Sequence, residues 1–411
     1  MNYELFVAKR IIAGKEYKSS ISSPIIKIAI TAIALGLVIM MISLATGAGL
    51  QQKIRDKMSG FKGHIQISKF DENNSDVSVA PISKNQEFYP NFYGLDGVKN
   101  VQIFANKTGL IRTKTDFEGI LFKGVSSDYD WTFFKEYMLE GRLPDFNQKR
   151  TRDILLSQTL VNRLKLNLND TVRVSFFKTD VKKPPSTYKL IITGIYDTGF
   201  VEFDKNIIIG DIRVVQRLNK WNSNQVGGFE VIIDDFDELE EKGNIIYELS
   251  GSDLDSTTIV SSYPNIFEWI ELFDNNIWFI IAIMILVAGI NMITALLVLI
   301  LERIPMIGIL KALGSSNWSI RKVFLYNATY LILKGLFWGN LIGLSLLFIQ
   351  FQFEIITLDP QNYYVSVVPV HIDFFTLLLL NIGTLILCFM MLIIPSVIIT
   401  KIQPSKSIKF A

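Results

Sequence analysis

The sequence predicts an α+β membrane protein: four transmembrane helices, with a large mixed α/β extracytoplasmic domain between spans 1 and 2. Three observations lead there. The 411-residue chain is 49% hydrophobic with a mean hydropathy of +0.32, too apolar for an ordinary soluble protein, yet 19% of it is charged. Four apolar segments each reach the roughly 20 residues that cross a bilayer. Basic residues gather on one side of those segments, as the positive-inside rule requires.

In chain order, residues 1–24 read as a cytoplasmic amphipathic segment with Lys9, Arg10, Lys15 and Lys18. Residues 25–47 form span 1. Its uncharged run from Ile28 to Thr46 exceeds the roughly 7–15 apolar residues of a cleavable signal peptide. Residues 48–276 form the external domain and residues 277–301 span 2. The loop 302–322 carries Arg303, Lys311, Arg321 and Lys322. Span 3 covers 323–349, a short external loop without Lys or Arg covers 350–373, and span 4 covers 374–400. The tail 401–411 holds Lys401, Lys406 and Lys409. Both termini and the 302–322 loop are therefore expected in the cytoplasm.

The external segment, roughly 230 residues, suffices for one substantial domain or two small ones. "HIQIS" from His64 alternates at period two, and "VRVSFF", "KLIITGI" and "FEVIID" read as further strands. Ser157 is placed to cap a helix running to about Leu166, and "DELEEKGNIIYEL" gives another helix. "DENNSD", residues 71–76, reads as a polar loop. At the borders, Leu50, Ile54, Met58 and Phe61 share one helix face, as do Ile266, Ile270, Phe273 and Ile277. Spans 1 and 2 are thus expected to leave the membrane as amphipathic helices, forming a stalk from Leu50, Ile54, Met58, Ile266, Ile270 and Phe273. The same stripes would also suit packing beneath the domain.

Within the spans, Gly335, Gly339 and Gly343 fall four apart on one face of span 3, which suits close helix packing within a bundle or across a dimer. Asn291 and Asn381 are expected to hydrogen-bond between helices, and Lys334 to reach toward an interface or a partner.

Several function classes drop out. A single cysteine, Cys388, allows no intrachain disulfide, and two histidines without a cysteine cluster argue against zinc. No G-x-x-x-x-G-K-[ST] phosphate loop and no G-x-S-x-G elbow appears. The near absence of charge inside the spans argues against an ion-coupled carrier. The chain is expected to be a non-catalytic subunit, without a cofactor or metal of its own, driven from elsewhere.

The cytoplasmic loop shows where. In "ERIPMIGILKALGSS", Pro305 suits the first helical turn and Gly314 the residue beyond the last. Met306, Ile309, Leu310 and Leu313 read as one apolar face, and Ser315 or Ser316 as the cap of the next helix. So short a helix is marginal alone and must dock, on the bilayer surface or on a partner.

Extended to "ERIPMIGILKALGSSNWSIRKVFL", this stretch resembles the signature of the FtsX-like permease superfamily. These are membrane subunits of mechanotransmitting ABC transporters, including MacB-type efflux pumps and cell-division proteins. The resemblance implies a type VII ABC permease-like architecture. It also implies an ATPase-coupling role for Glu302, Arg303, Met306, Ile307, Gly308, Ile309, Leu310, Lys311, Ala312, Leu313 and Gly314. "GFKGHIQI", "GRLP" at 141–144, "LLSQTLVNRLKLNLNDTVRV", "LDPQNYYVSVVPVHID" and "KIQPSKSIKFA" are similar to the lipoprotein-releasing, Lol-type branch.

That resemblance implies a permease of the bacterial inner membrane. Its partners would be an ABC ATPase supplying ATP and magnesium, a second permease in a homo- or heterodimer, a lipoprotein substrate and a periplasmic lipoprotein carrier. Met40, Met41, Leu44, Ile277 and Ile281 are then candidates for a substrate cavity, or for ordinary packing. In carrier-binding Lol permeases a protruding hairpin recruits the carrier; the equivalent stretch here, 177–189, is shorter, which leaves direct carrier binding open. Drug or peptide efflux and division-type signalling remain the alternatives, the latter disfavoured by the size of the external segment.

Overall fold

The computed structural model describes residues 3–13, 22–70, 80–113, 116–147, 150–178 and 184–402. The polar loop expected at 71–76 lies outside the described residues. Two compact units emerge: a helical unit of Met1–Gln51, Trp269–Thr357 and Val367–Ala411, and an α/β unit of Gln52–Glu268 and Leu358–Ser366.

The helical unit contains α1 (Tyr3–Ala13), most of α2 (Ser22–Lys62) and of α3 (Pro264–Glu302), then α4 (Ile304–Ala312), α5 (Asn317–Phe353) and α6 (Phe374–Ser396). Four of these helices are long and apolar enough to cross a membrane. They run past the apolar segments at both ends, because polar residues continue the helices without a breaker. The fourth is the exception. Pro395 interrupts it and α6 stops at Ser396, four residues short of the expected end at Thr400, with a separate turn at Ile398–Lys401. The bundle core is built from Ile33, Leu37, Met40, Met292, Leu296, Phe324 and their neighbours.

The strands of the α/β unit are β1 (Ile65–Lys69), β2 (Ile82–Ser83), β3 (Val98–Arg112), β4 (Phe117–Val125), β5 (Met138–Gly141) and β6 (Asp153–Ser157). β7 (Thr171–Phe176), β8 (Ser186–Tyr196), β9 (Ile207–Asp211), β10 (Gln225–Val226), β11 (Gly228–Ile233) and β12 (Leu254–Thr258) follow. The four runs read as strands become β1, β7, β8 and β11. Ser157 caps the helix Gln158–Leu164 by accepting from Leu160 N at 3.1 Å.

The main sheet runs β12-β1-β11-β3-β4-β9-β6-β8-β5, and β7 pairs with both β3 and β8. Six strands, β3-β4-β9-β6-β8-β7, therefore close into a ring that hides their edges. The length of β3 makes this possible: Val98–Phe104 pair with β11, and Gly109–Arg112 pair with β7. Phe122 meets Phe176 edge-on at 5.6 Å, and Gly210 leaves the room that the Phe122 ring occupies.

The loop between α5 and α6, expected as a short external loop, contributes Leu358–Ser366 to the α/β unit. There Tyr364 stacks on Phe200 at 5.1 Å, and its carbonyl accepts from Lys57 Nζ at 3.1 Å.

Candidate functional site

In the short helix α4, Pro305 lies in the first turn and Gly314 follows the end with φ +90°. Ser315 N donates to Leu310 O, the backward bond that closes a helix of this kind, and Ser316 caps α5 through Ser319 N. The apolar residues are divided differently from the single face expected. Ile307 is fully buried, Gly308 is buried, and Met306 and Leu310 pack half-buried against the bundle core. Ile309 and Leu313 stand 53% and 77% exposed, with Glu302 and Ala312 also exposed and Arg303 half-buried.

The reason is that α4 is seated on its own bundle. Lys311 Nζ donates to Ile399 O at 2.7 Å and to Ile402 O at 2.8 Å, taking up carbonyls at the chain's exit from the fourth span. Its neighbour Arg321 donates to Ser396 Oγ at 3.1 Å. One face of α4 is consumed inside the chain, and the other, with Ile309 and Leu313, is exposed.

Gly335, Gly339 and Gly343 lie against α2. A Cβ on them would fall 2.7 Å from Ile33 Cβ, 2.9 Å from Leu37 Cδ2 and 3.0 Å from Met41 Sδ respectively. Their use is thus within the chain, holding the first and third spans backbone to backbone. Asn381 exchanges hydrogen bonds with Asn340 on α5 at 2.6 and 3.1 Å. For Asn291 no interhelical bond occurs among the described residues. Lys334 is exposed, its ammonium 4.6 Å from the Tyr330 ring.

Of the five candidate cavity residues, Met41 and Leu44 line an apolar pocket of about 80 Å³ with Ala45, Ala48, Leu347 and Leu380. Met40, Ile277 and Ile281 instead fill the bundle core; Ile277 occupies the space that the missing side chain of Gly47 leaves open.

Of the stalk candidates, Leu50, Ile54, Met58 and Ile270 are buried and Ile266 and Phe273 half-buried. In the helical unit α2 and α3 touch, through Gly47 against Ile277 and a hydrogen bond from Gln51 to Asp274. In the α/β unit the Arg55 guanidinium lies 4.4 Å from the Phe236 ring, which stacks on Phe267 at 5.8 Å.

The end of α2 holds a site that sequence reasoning missed. Lys123 Nζ, on β4, donates to Phe61 O at 2.5 Å and to Glu230 Oε2, on β11, at 2.7 Å. Both side chains are almost wholly buried, at 2% and 0% exposure. Burial pulls the Lys123 ammonium pKa below its usual range, and Glu230 opposes that pull. Removing one partner alone would cost about 3–5 kcal/mol through the uncompensated charge.

A second missed feature is a basic row. Arg112, Arg173 and Lys189 are direct register partners across β3, β7 and β8, so they project from one face; Arg152 adjoins them in an open cleft. None forms an ion pair among the described residues. Like charges facing each other across strands disfavour the sheet, so the row suits an anionic partner.

These features define a class: a chain with four helices long and apolar enough to cross a membrane, an α/β unit that follows the first of them, and a short helix with an exposed apolar pair between the second and third. The MacB-like periplasmic core domain model matches residues 28–246, and the FtsX-like permease C-terminal model matches residues 278–404. The chain belongs to this permease family.

Among its relatives, the lipoprotein-releasing system transmembrane protein LolC of Neisseria meningitidis is 22% identical, covering 99% of each chain. The ABC transporter permease YtrF of Bacillus subtilis is 24% identical over 72% of each. Among solved structures, the periplasmic region of MacB from Actinobacillus actinomycetemcomitans aligns with 52% of this chain and 97% of its own, at 14% identity and a TM-score of 0.34.

Proposed function

We propose that this chain is the permease subunit of a type VII, mechanotransmitting ABC transporter that releases lipoproteins from the bacterial inner membrane toward a periplasmic carrier. The observation that carries the coupling role is α4: Ile309 and Leu313 stand exposed on a helix whose opposite face is locked to its own bundle. An apolar pair presented on a rigid seat fits a groove in a partner. That partner would be a separate ATPase subunit holding ATP and magnesium, paired with a second permease. Movement of α4 would pass to α2 and α3, which continue from the helical unit into the α/β unit.

The lipoprotein substrate is supported by the end-to-end match to LolC. Extracting acyl chains costs about 0.8 kcal/mol per CH₂, which calls for ATP. A carrier contact is supported by the β7–β8 hairpin, whose base carries the basic row. Its connection spans 177–185, of which 179–183 lie outside the described residues. The efflux reading has no feature of this chain to prefer it.

Two experiments test this. Ile309→Asp and Leu313→Asp should each abolish co-purification of an ATPase with the tagged chain while membrane insertion persists; normal co-purification would sink the docking assignment. Depletion of the chain should leave lipoproteins in the inner membrane, and correct sorting would remove the substrate assignment.

A further inference from the structure

Helix α2 ends at Lys62, and its last carbonyls need donors. Ser59 O takes the N–H of Gly63, at φ +71°. The other two donors come from distant side chains: Tyr129 Oη to Gly60 O at 3.2 Å and Lys123 Nζ to Phe61 O at 2.5 Å.

Glu230, which holds Lys123, also accepts from Gln66 at 3.1 Å and from Gln102 at 3.0 Å. Gln102 in turn accepts from Asp130 N at 2.9 Å. One buried network thus binds the helix end to β1, β3, β4 and β11. On the opposite side the Phe61 ring is fully buried, within 5.6 Å of the rings of Phe133, Phe134 and Phe203. The backbone is gripped by charge and the side chain by aromatic packing, so neither translation nor rotation of this helix end is free.

A buried ion pair is a poor means to stability, since apolar replacements of equal volume often stabilise more. What this pair supplies is position. We propose that Lys123 and Glu230 are positioning residues, a rigid joint that fixes the end of α2 to the sheet so that movement of the first span is delivered to the α/β unit without slack. The use of that movement rests on the transport function proposed above; the rigidity of the joint does not.

The test replaces the pair by Lys123→Met with Glu230→Gln. This removes the donor to Phe61 O yet leaves no buried charge unpaired, and the single amide oxygen of the new glutamine replaces one of the two oxygens that accept from Gln66 and Gln102. Spin labels at Gln52→Cys on α2 and Asn162→Cys in the α/β unit, both exposed, report the joint in a Cys388→Ser background. In the full chain, the distance distribution should broaden by about twofold on replacement, and Lys123→Arg alone should keep it narrow. A distribution that stays as narrow as the parent's overturns the proposal.

The second measurement uses the complex with its ATPase in liposomes, and a labelled triacylated lipoprotein as probe. The double variant should hydrolyse ATP at the parent's rate while release per ATP falls about fivefold, the size of a lost coupling of this kind. Unchanged release despite a broadened distribution, or hydrolysis falling in step with release, overturns the joint's role in transmission. If the parent complex hydrolyses ATP without releasing the probe, the lipoprotein function fails instead, and the spin-label distances alone decide the joint.

Discussion

Gly339 and Leu37 sit so close that a side chain on the glycine has nowhere to go: its Cβ would lie 2.9 Å from Leu37 Cδ2 and 3.0 Å from the backbone oxygen of Ala34. The carbonyl cannot swing aside as a side chain can. Gly339→Val should therefore cost about 1–3 kcal/mol of overpacking, read as a lower melting temperature of the detergent-solubilised chain. Gly343→Ala meets the flexible end of Met41 and should cost less. Equal melting temperatures for Gly339→Val and the parent would refute the close α2–α5 packing.

Asn340 and Asn381 each donate to the other. Replacing either by Leu strands its partner, at about 0.6–1.7 kcal/mol by the range for such bonds in membranes. Replacing both removes the stranded group, so the double variant should lose less than the sum of the singles. Strict additivity in a thermal-melt cycle would show that the two amides do not interact.

Lys311 is expected to act on its own bundle before it acts on any partner. Lys311→Met removes the ammonium donor from the carbonyls of Ile399 and Ile402, leaving Ile399 O only the 3.4 Å bond from Ile402 N, and should cost about 1–2 kcal/mol. Protease nicking near residues 397–402 should rise in the variant. If nicking and melting match the parent, the contact contributes nothing.

Two buried groups of the α/β unit set opposing pH dependences. Burial raises the Asp204 carboxyl from 3.8 to about 7, opposed by hydrogen bonds from Thr198 and by Lys57 and aided by Asp197. Burial lowers His64 from 6.5 to about 4, with help from Lys99, and its Nδ1 accepts from Ile233 N. A raised carboxyl stays protonated in the fold after the unfolded chain has ionised, so its contribution falls as pH rises from 3.8 to about 7. A depressed histidine works the other way: its contribution is present above 6.5 and is lost as pH falls toward about 4. Each slope is at most about 1.4 kcal/mol per pH unit, and between pH 4 and 6.5 they cancel. Asp204→Asn should make the melting temperature rise with pH across that window, and His64→Gln should make it fall. Flat profiles in both variants would show that neither group titrates as stated.

Much of this architecture was legible in residue order. Four apolar runs, the Pro305 and Gly314 that bracket α4, and the alternation in β1, β7, β8 and β11 are local signals. What misled was orientation. Periodicity placed Met306, Ile309, Leu310 and Leu313 on one stripe, because it records spacing and not which neighbour takes which side. The seat made by Lys311 against the end of the fourth span divides that stripe. Similarly, the spacing of Gly335, Gly339 and Gly343 says that something packs closely there, but only the fold names Ile33, Leu37 and Met41.

The sequence by itself determined the number of spans, the inserted α/β domain and the short helix between the second and third spans, since span length, charge bias and capping depend on residues close together in the chain. Tertiary structure alone decided the closure of six strands into a ring, the inclusion of Leu358–Ser366 in the α/β unit, and the meeting of Lys123 with Glu230, 107 residues away. Neither residue carries a local mark of its partner. Burial of both charges at the end of one helix is stable only when the sheet around them has already formed.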